Sequence, residues 1–271
     1  MIIPVQDPAD PRLTDYCGVS DPELLRRGGL FIAEGRLVVR TLLSLGRWPV
    51  RSLLVTEQAR ESLADVIGAY EERIPIYLTG KQSMRAITGF NLHRGCLALG
   101  ERAAEPGPGE LLPAEGDALV VVLEDVTNAD NVGAVFRNAL AFAAAAVLLG
   151  PGCCDPLYRK AIRVSMGASL QVPHARIRDW PAGLGIVREA GFMIVALTPA
   201  QSAADIAVLA EAIDRPRRIA LLVGNEGAGL TAGALAEAQL RVRIPMAPGI
   251  DSLNVATATG IALHRLGGSS R

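Results

Sequence analysis

The sequence predicts an α/β protein in which a C-terminal domain built on a parallel β-sheet follows a smaller α/β domain. Residues 118–271 alternate short, continuously apolar runs with helical stretches, a pattern typical of a parallel sheet covered on both faces. Residues 101–117 combine Pro, Gly and acidic residues without periodicity and are interpreted as a linker. Residues 20–100 hold one helical pattern and several strand-like runs, which indicates the smaller domain.

The elements of the N-terminal part are predicted from local patterns. Residues 1–19 lack a clear pattern and are interpreted as a loosely held arm. The segment GLFIAEGRLVVRTLLSLG has the apolar spacing of a helix, and strand-like runs follow at RSLLVTE, IPIYLTG and GCLALG. In the C-terminal domain the strand-like runs are ALVVVLE, AAAVLLG, SLQVPHA, FMIVALT, RIALLVG and LRVRIP.

Composition limits the classes of function. Half of the 271 residues are hydrophobic, so a substantial core is expected, while a net charge of −1 is not the footprint of a strongly basic nucleic-acid-binding domain. The four cysteines and three histidines share no ligand spacing, so no metal site is predicted. There is no apolar run of roughly 18 residues and no signal-peptide pattern, so we expect a cytoplasmic protein without a membrane segment.

The first candidate motif is EDVTNADNVGAVFRNALAFA, which follows a predicted strand. Asn131 precedes an apolar-periodic helix that carries Arg137. A polar loop at the carboxyl end of a parallel strand lies where open α/β sheets bind ligands. The alternative is structural: Asn131 is then a helix cap or turn residue, and Arg137 is a solvated helix residue.

The second candidate motif, RIALLVGNEGAGL, is an apolar strand that enters a Gly-rich turn with Glu226 as its only charge. A glutamate fixed between glycines at a strand end is well placed to hydrogen-bond a ligand, although the glycines are also explained as turn formers. Their order differs from the dinucleotide fingerprint G-x-G-x-x-G, and no phosphate loop G-x-x-x-x-G-K-[ST] occurs. A nicotinamide-dependent oxidoreductase is therefore disfavoured.

The third candidate motif, LRVRIPMAPGIDSLNVATATGIALHRL, predicts a strand, a Pro/Gly loop and a helix whose start is signalled by Asp251 and Ser252 as candidate caps. The small residues of the helix permit a tight packing contact, within the chain or across a dimer. In the structural alternative, Ser252 and Asn254 are capping residues only.

Together the three segments resemble the motifs of the SpoU/TrmH family of RNA 2′-O-ribose methyltransferases in the SPOUT superfamily. They occur in the family's order over roughly residues 119–266. The N-terminal part, at LFIAEGRLVV and FNLHRGCLAL, is similar to the substrate-binding domain that many members carry. The resemblance implies a SPOUT domain with a deep trefoil knot at 118–271. It also implies S-adenosyl-L-methionine as cofactor, RNA as substrate, and a homodimer formed through the C-terminal domain.

The resemblance also implies the site residues. The catalytic positions of the family motifs fall on Asn131, Arg137, Glu226, Ser252 and Asn254. The cofactor-binding positions fall on Leu197, Gly224, Ile244, Met246 and Leu253. The chain departs from the family at Asn138, where many members have Ser or Thr, and at His93-Arg94-Gly95, where they have H-Q-G. Both departures bear on which RNA is held.

In the family the motif-one arginine is assigned either as a base or as a holder of RNA phosphate. An arginine with a pKa above about 12 stays protonated, so a phosphate clamp is favoured for Arg137. The N-terminal domain is expected to select the RNA, and its layout favours rRNA over tRNA. Arginines that would contact phosphate there are Arg26, Arg27, Arg36, Arg40 and Arg94. A solvated basic face is the alternative for these arginines, and a non-catalytic RNA-binding or ribosome-assembly protein is the alternative for the whole chain.

Overall fold

The computed structural model divides into two compact units. It describes residues 1–88, 95–212 and 217–267. Unit 1 is formed by Met1–Ala104 together with Leu157–Leu170, and unit 2 by Glu105–Pro156 together with Gln171–Arg271. The predicted His93-Arg94 part of the N-terminal motif lies outside the described residues. In the part of the chain that is described, no helix has the length and apolar composition needed to cross a membrane.

Unit 1 contains a mixed five-stranded sheet. Numbered along the chain, its strands are β1 (Ile2–Pro4), β2 (Leu30–Glu34), β3 (Val50–Val55), β4 (Ile76–Leu78) and β5 (Cys96–Glu101). Its helices up to residue 88 are α1 (Asp21–Arg26), α2 (Arg36–Leu45), α3 (Glu57–Ser62), α4 (Ala64–Ile67) and α5 (Lys81–Thr88), with 3-10 turns at Pro11–Tyr16 and Gly68–Tyr70. The strand order is β1-β4-β3-β5-β2, and β5 runs antiparallel to both of its neighbours.

Two predictions for this part of the chain are wrong. Residues 1–19 are not a loose arm, because β1 pairs with β4, and Leu13 and Tyr16 are buried in a core cluster where the Tyr16 hydroxyl is 2.7 Å from that of Ser52. The segment at 29–46 is not one helix. Its first half is β2, buried on both faces, and Gly35 with φ of +95° separates it from α2. A continuously apolar run fits a buried strand as well as a helix, so the spacing of the apolar residues predicted the wrong element for residues 30–34.

Unit 2 contains a seven-stranded sheet in which all the strand pairs are parallel. The sequence predicted a parallel sheet with six strand-like runs, and the short strand at Ala204–Asp205 was not among them. Its strands are β6 (Ala118–Leu123), β7 (Ala146–Leu149), β8 (His174–Arg176), β9 (Met193–Leu197), β10 (Ala204–Asp205), β11 (Arg218–Val223) and β12 (Leu240–Arg243). Its helices are α6 (Ala129–Ala141), α9 (Gly185–Glu189), α10 (Ile206–Glu211), α11 (Ala232–Glu237) and α12 (Val255–Gly267), with 3-10 turns at Pro108–Leu111 and Ala182–Leu184. The strand order is β10-β12-β9-β11-β6-β7-β8.

The two faces of this sheet are covered by different helices. On one face a core cluster joins Val120 and Val122 of β6 to side chains of α9 and α11. Successive residues of a strand point to opposite faces, so Val121 and Leu123 belong to the other face, where α12 packs against α6, β6 and β11. The predicted linker at 101–117 lies partly in this unit, because Leu112 is buried in the core cluster with Val120.

Residues Leu157–Leu170, predicted as part of the C-terminal domain, belong to unit 1. They contain α7 (Arg159–Val164) and most of α8 (Ala168–Gln171). The last three residues of α8 were predicted as strand, in the run SLQVPHA. Leu157, Ile162 and Leu170 are buried in the same core cluster as Trp48, and the Trp48 indole Nε1 donates to the Leu170 carbonyl at 2.9 Å. Hydrophobic spacing shows that a helix has a buried face but not which sheet covers it, so this difference was not predictable.

We predict that Ile162→Ala destabilises unit 1 by about 2–5 kcal/mol, because it leaves a cavity in the core. Hydrogen exchange should be faster in β3 and should not change in β6. The matched control is Leu45→Ala, whose side chain is 42% exposed on α2, and it should change stability by less than about 0.5 kcal/mol. Equal acceleration in β3 and β6 would contradict the assignment of this segment to unit 1.

Candidate active site

A cavity of about 370 Å³ lies at the carboxyl ends of β9, β11 and β12 in unit 2. Ligands of open α/β sheets bind at this edge. The five residues predicted to bind the cofactor all line this cavity: Leu197, Gly224, Ile244, Met246 and Leu253. Glu226 and Ser252, predicted to be catalytic, line it as well. Segments that are far apart in the sequence therefore meet around one space.

Gly224 is required by the close approach of two backbone segments. A Cβ at this position would lie 2.6 Å from the carbonyl carbon and oxygen of Gly229 and 2.7 Å from the nitrogen of Leu230. These are backbone atoms that cannot rotate away. The absence of a side chain therefore lets the loop fold back on the end of β11, and residues 223–230 form one continuous wall of the cavity.

Asn225 holds this loop in shape, a role that the sequence reasoning missed. Its side-chain oxygen accepts from the backbone nitrogens of Gly227 at 2.6 Å and Ala228 at 3.2 Å. Its Nδ2 donates to the Asp125 carbonyl at 2.9 Å. Asp125 has φ of +54°, a conformation that is rare for a residue other than glycine. Asn225 thus joins the loop after β11 to the loop after β6. The sequence did not predict this contact, because the two loops belong to different motifs.

Glu124, at the end of β6, is a second residue that was missed. It is 1% exposed, and its carboxylate accepts from Trp180 Nε1 at 2.5 Å, the Thr231 backbone nitrogen at 2.8 Å and the Thr231 hydroxyl at 2.7 Å. Thr231 in turn caps α11 through the Ala234 nitrogen. Burial of a carboxylate is tolerated because these donors replace water. Glu124 therefore fixes the start of α11 beside the cavity loop.

Asn131 and Asn254 are brought together. The Asn254 Nδ2 donates to Asn131 Oδ1 at 2.9 Å, and Asn254 Oδ1 accepts from the backbone nitrogens of Ala256 and Thr257. Asn254 therefore caps α12, as the structural alternative suggested, whereas Asp251 and Ser252, the first candidate caps, accept no such hydrogen bond in the described chain. Asn138 adds a second link, because its Nδ2 donates to the Ala256 carbonyl at 2.7 Å. The position that departs from the family pattern thus holds α6 against α12.

Arg137 is exposed on α6, and within the described residues its guanidinium makes no hydrogen bond or ion pair. Arg137, Asn131 and Asn254 are not among the residues that line the cavity. The predicted set thus divides into a cavity group and an α6/α12 group. An unpaired guanidinium keeps all its donors available for an anion such as phosphate.

Most of the arginines predicted to hold RNA in unit 1 are paired within the chain. Arg26 and Arg27 pair with Glu23, and Arg40 pairs with Asp65. Arg36 has no hydrogen bond or ion pair to any described residue of the chain, and Arg94 lies outside the described residues. These pairs are at the surface, where an ion pair is worth little and exchanges easily. Among the four arginines of this set that the structure describes, Arg36 is the one that can contact phosphate without giving up an ion pair.

A parallel α/β domain with its ligand cavity at the carboxyl ends of the strands is an architecture shared by many cofactor-dependent enzymes. The model of the SpoU rRNA Methylase family matches residues 118–264, and the chain belongs to this family of RNA methyltransferases.

Relatives and solved structures agree with this membership. The chain is 43% identical over 264 residues to an uncharacterised tRNA/rRNA methyltransferase of Mycobacterium bovis, covering 96% of this chain and 90% of the relative. It is 28% identical over 239 residues to the 23S rRNA (guanosine(2553)-2′-O)-methyltransferase RlmP of Bacillus subtilis, covering 88% of each. The crystal structure of an AdoMet-bound rRNA methyltransferase from Sinorhizobium meliloti is similar with a TM-score of 0.83 and 26% identity, covering 98% of this chain and 97% of that one.

We predict that Glu124→Gln lowers the free energy of unfolding by about 1–3 kcal/mol, because the new amide group faces hydrogen-bond donors and leaves one of them unsatisfied. Denaturant unfolding measures this change. The control is Glu115→Gln, an exposed glutamate of the same unit, which should shift stability by less than about 0.5 kcal/mol. If both variants unfold alike, Glu124 does not carry the role assigned to it.

Proposed function

We propose that the protein transfers a methyl group from S-adenosyl-L-methionine to a ribose 2′-hydroxyl of RNA, with rRNA favoured over tRNA. The observation that carries the proposal is the cavity at the ends of β9, β11 and β12, which gathers the five residues expected to bind the cofactor. The activity for which the Bacillus subtilis relative is named supports the 2′-hydroxyl of rRNA as the acceptor. The cofactor named for the Sinorhizobium meliloti structure supports S-adenosyl-L-methionine.

The residues of the cavity fit this cofactor. Apolar side chains of Leu197, Ile244 and Leu253 suit the adenine ring, and the thioether of Met246 suits a thioether or sulfonium chain. The backbone of the loop between Gly224 and Leu230 offers polar groups for hydrogen bonds. Among the described residues of the lining there is no Lys, Arg or His that would repel a sulfonium cation.

The bound cofactor supplies an electrophilic methyl group, and the protein has to place the ribose hydroxyl in line with it. Arg137 serves as the phosphate clamp beside the target ribose, since its guanidinium pairs with no described residue. Two parallel hydrogen bonds from the guanidinium to a phosphate fix the orientation of the phosphate as well as its distance. The nearby positive charge also favours loss of the hydroxyl proton. Asn131, held by Asn254, directs the ribose or Arg137, while Ser252 and Glu226 act at the cavity edge.

We also infer a homodimer formed through unit 2, a deep trefoil knot in its C-terminal part, and a cytoplasmic location. Leu140 of α6 and Ile261 of α12 are 42% and 36% exposed, which suits an apolar contact between copies. The knot rests on the family resemblance, with the segment between β12 and α12 as the part that closes the cavity. Residues 20–100 are proposed as the RNA-binding domain, with Arg36 as its first phosphate contact.

We predict that Gly224→Ala weakens S-adenosyl-L-methionine binding by about tenfold or more, because the added Cβ pushes the loop away from the end of β11. Calorimetry measures the affinity. Gly185→Ala is the control, because a Cβ at this helical glycine of unit 2 meets no atom closer than 3.8 Å. A wild-type protein that binds no cofactor would favour a non-catalytic RNA-binding protein instead.

We predict that Arg137→Ala lowers the rate of methyl transfer to RNA by about 10²-fold or more, because the ribose loses its alignment. Cofactor affinity should not change, since Arg137 lies outside the cavity. Arg137→Lys should recover only a small part of the rate, because lysine cannot form the bidentate contact. Arg178→Ala, an exposed arginine of unit 2, is the control, and full activity of Arg137→Ala would refute the clamp.

A further inference from the structure

The lining of the cavity carries negative charge. Glu226 and Asp251 line the cavity, and their carboxylates are the formal charges among the described lining residues. Neither carboxylate accepts a hydrogen bond or joins an ion pair within the described chain. Both residues are exposed at the cavity, and no described residue neutralises their charge.

The Asp251 side chain makes no hydrogen bond or ion pair with any described residue. The sequence suggested it as a cap of α12, but Asn254 performs the capping through the nitrogens of Ala256 and Thr257. The partial positive charge at the start of α12 is diffuse and falls off within one turn, so the two carboxylates determine the charge of this wall. An aspartate at the mouth of a cavity attracts a cationic ligand and repels an anionic one.

We propose that Asp251 is a specificity-determining residue that, together with Glu226, makes the cavity prefer the cationic methyl donor over its neutral product. This inference rests on the proposed function. In the reaction the bond between sulfur and methyl breaks with its electron pair left on sulfur, the methyl forms a bond to the ribose oxygen, and the hydroxyl proton passes to water. The sulfonium thereby becomes a neutral thioether, and S-adenosylhomocysteine has one positive charge fewer than the donor.

The electrostatic attraction between the two carboxylates and the sulfonium is consequently lost when the methyl group is transferred. An exposed carboxylate several ångströms from a cation contributes a modest Coulomb energy, which weakens further as salt increases. Even a modest contribution matters here, because it acts on the donor and not on the product. The cavity then retains the donor and releases the spent cofactor, which limits product inhibition.

The experiment measures the affinity of the full chain for three ligands by calorimetry. The ligands are S-adenosyl-L-methionine, the neutral S-adenosylhomocysteine, and sinefungin, in which an amine replaces the sulfonium centre and restores a positive charge. We expect Asp251→Asn to weaken the two cationic ligands by about 3-fold or more and to leave the neutral one unchanged. Asp251→Glu should restore the preference, and Asp179→Asn, an exposed aspartate away from the cavity, is the matched control.

A second measurement, on the unmodified protein, tests the same proposal. Its preference for S-adenosyl-L-methionine over S-adenosylhomocysteine should decrease as the salt concentration rises. Equal weakening of all three ligands in Asp251→Asn, or a preference that is independent of salt, would overturn the proposal while leaving the methyltransferase function intact. Failure of the unmodified protein to bind any of the three would instead refute the proposed function.

Discussion

Parallel pairing of the strands in unit 2 is the constraint on which the site depends. Because β6, β9, β11 and β12 all run in one direction, the loops that follow them emerge at the same edge of the sheet. Two side-chain contacts then join these loops. Asn225 fastens the loop after β11 to Asp125 after β6, and Asn254 fastens the start of α12 to Asn131 in α6. A cavity and an adjacent polar surface result from these contacts.

The sequence was most informative where the local pattern is sufficient. The continuous apolar runs predicted β6, β9 and β11 and their parallel pairing, because a strand buried on both faces must be largely apolar. The sequence also predicted β12, although its residues LRVR alternate apolar side chains with arginines. The family motifs directed attention to ten residues, and the structure places seven of them around one cavity. Their individual roles remain predictions, since position alone does not establish what a side chain does.

The sequence was least informative where the answer depends on tertiary contacts. The spacing of Leu157, Ile162 and Leu170 does not show that their partner is the core of unit 1. Glu124 read as the last residue of a strand, yet its burial and three hydrogen bonds depend on Trp180 and Thr231, which are distant in the chain. Asp251, Ser252 and Asn254 were all candidate caps of α12 in the sequence, and Asn254 is the one whose side chain accepts from the helix nitrogens. In each case several residues could have been the contact partner, and only the tertiary structure shows which one is.

The proposed function is the methylation of one ribose 2′-hydroxyl of RNA by this chain. The most direct measurement is a map of 2′-O-methyl sites in total RNA from cells with and without the gene. We expect one ribose methylation, in rRNA, to be lost on deletion and to return when the gene is restored. An unchanged set of ribose methylations, or the loss of a methyl group from a base, would contradict it.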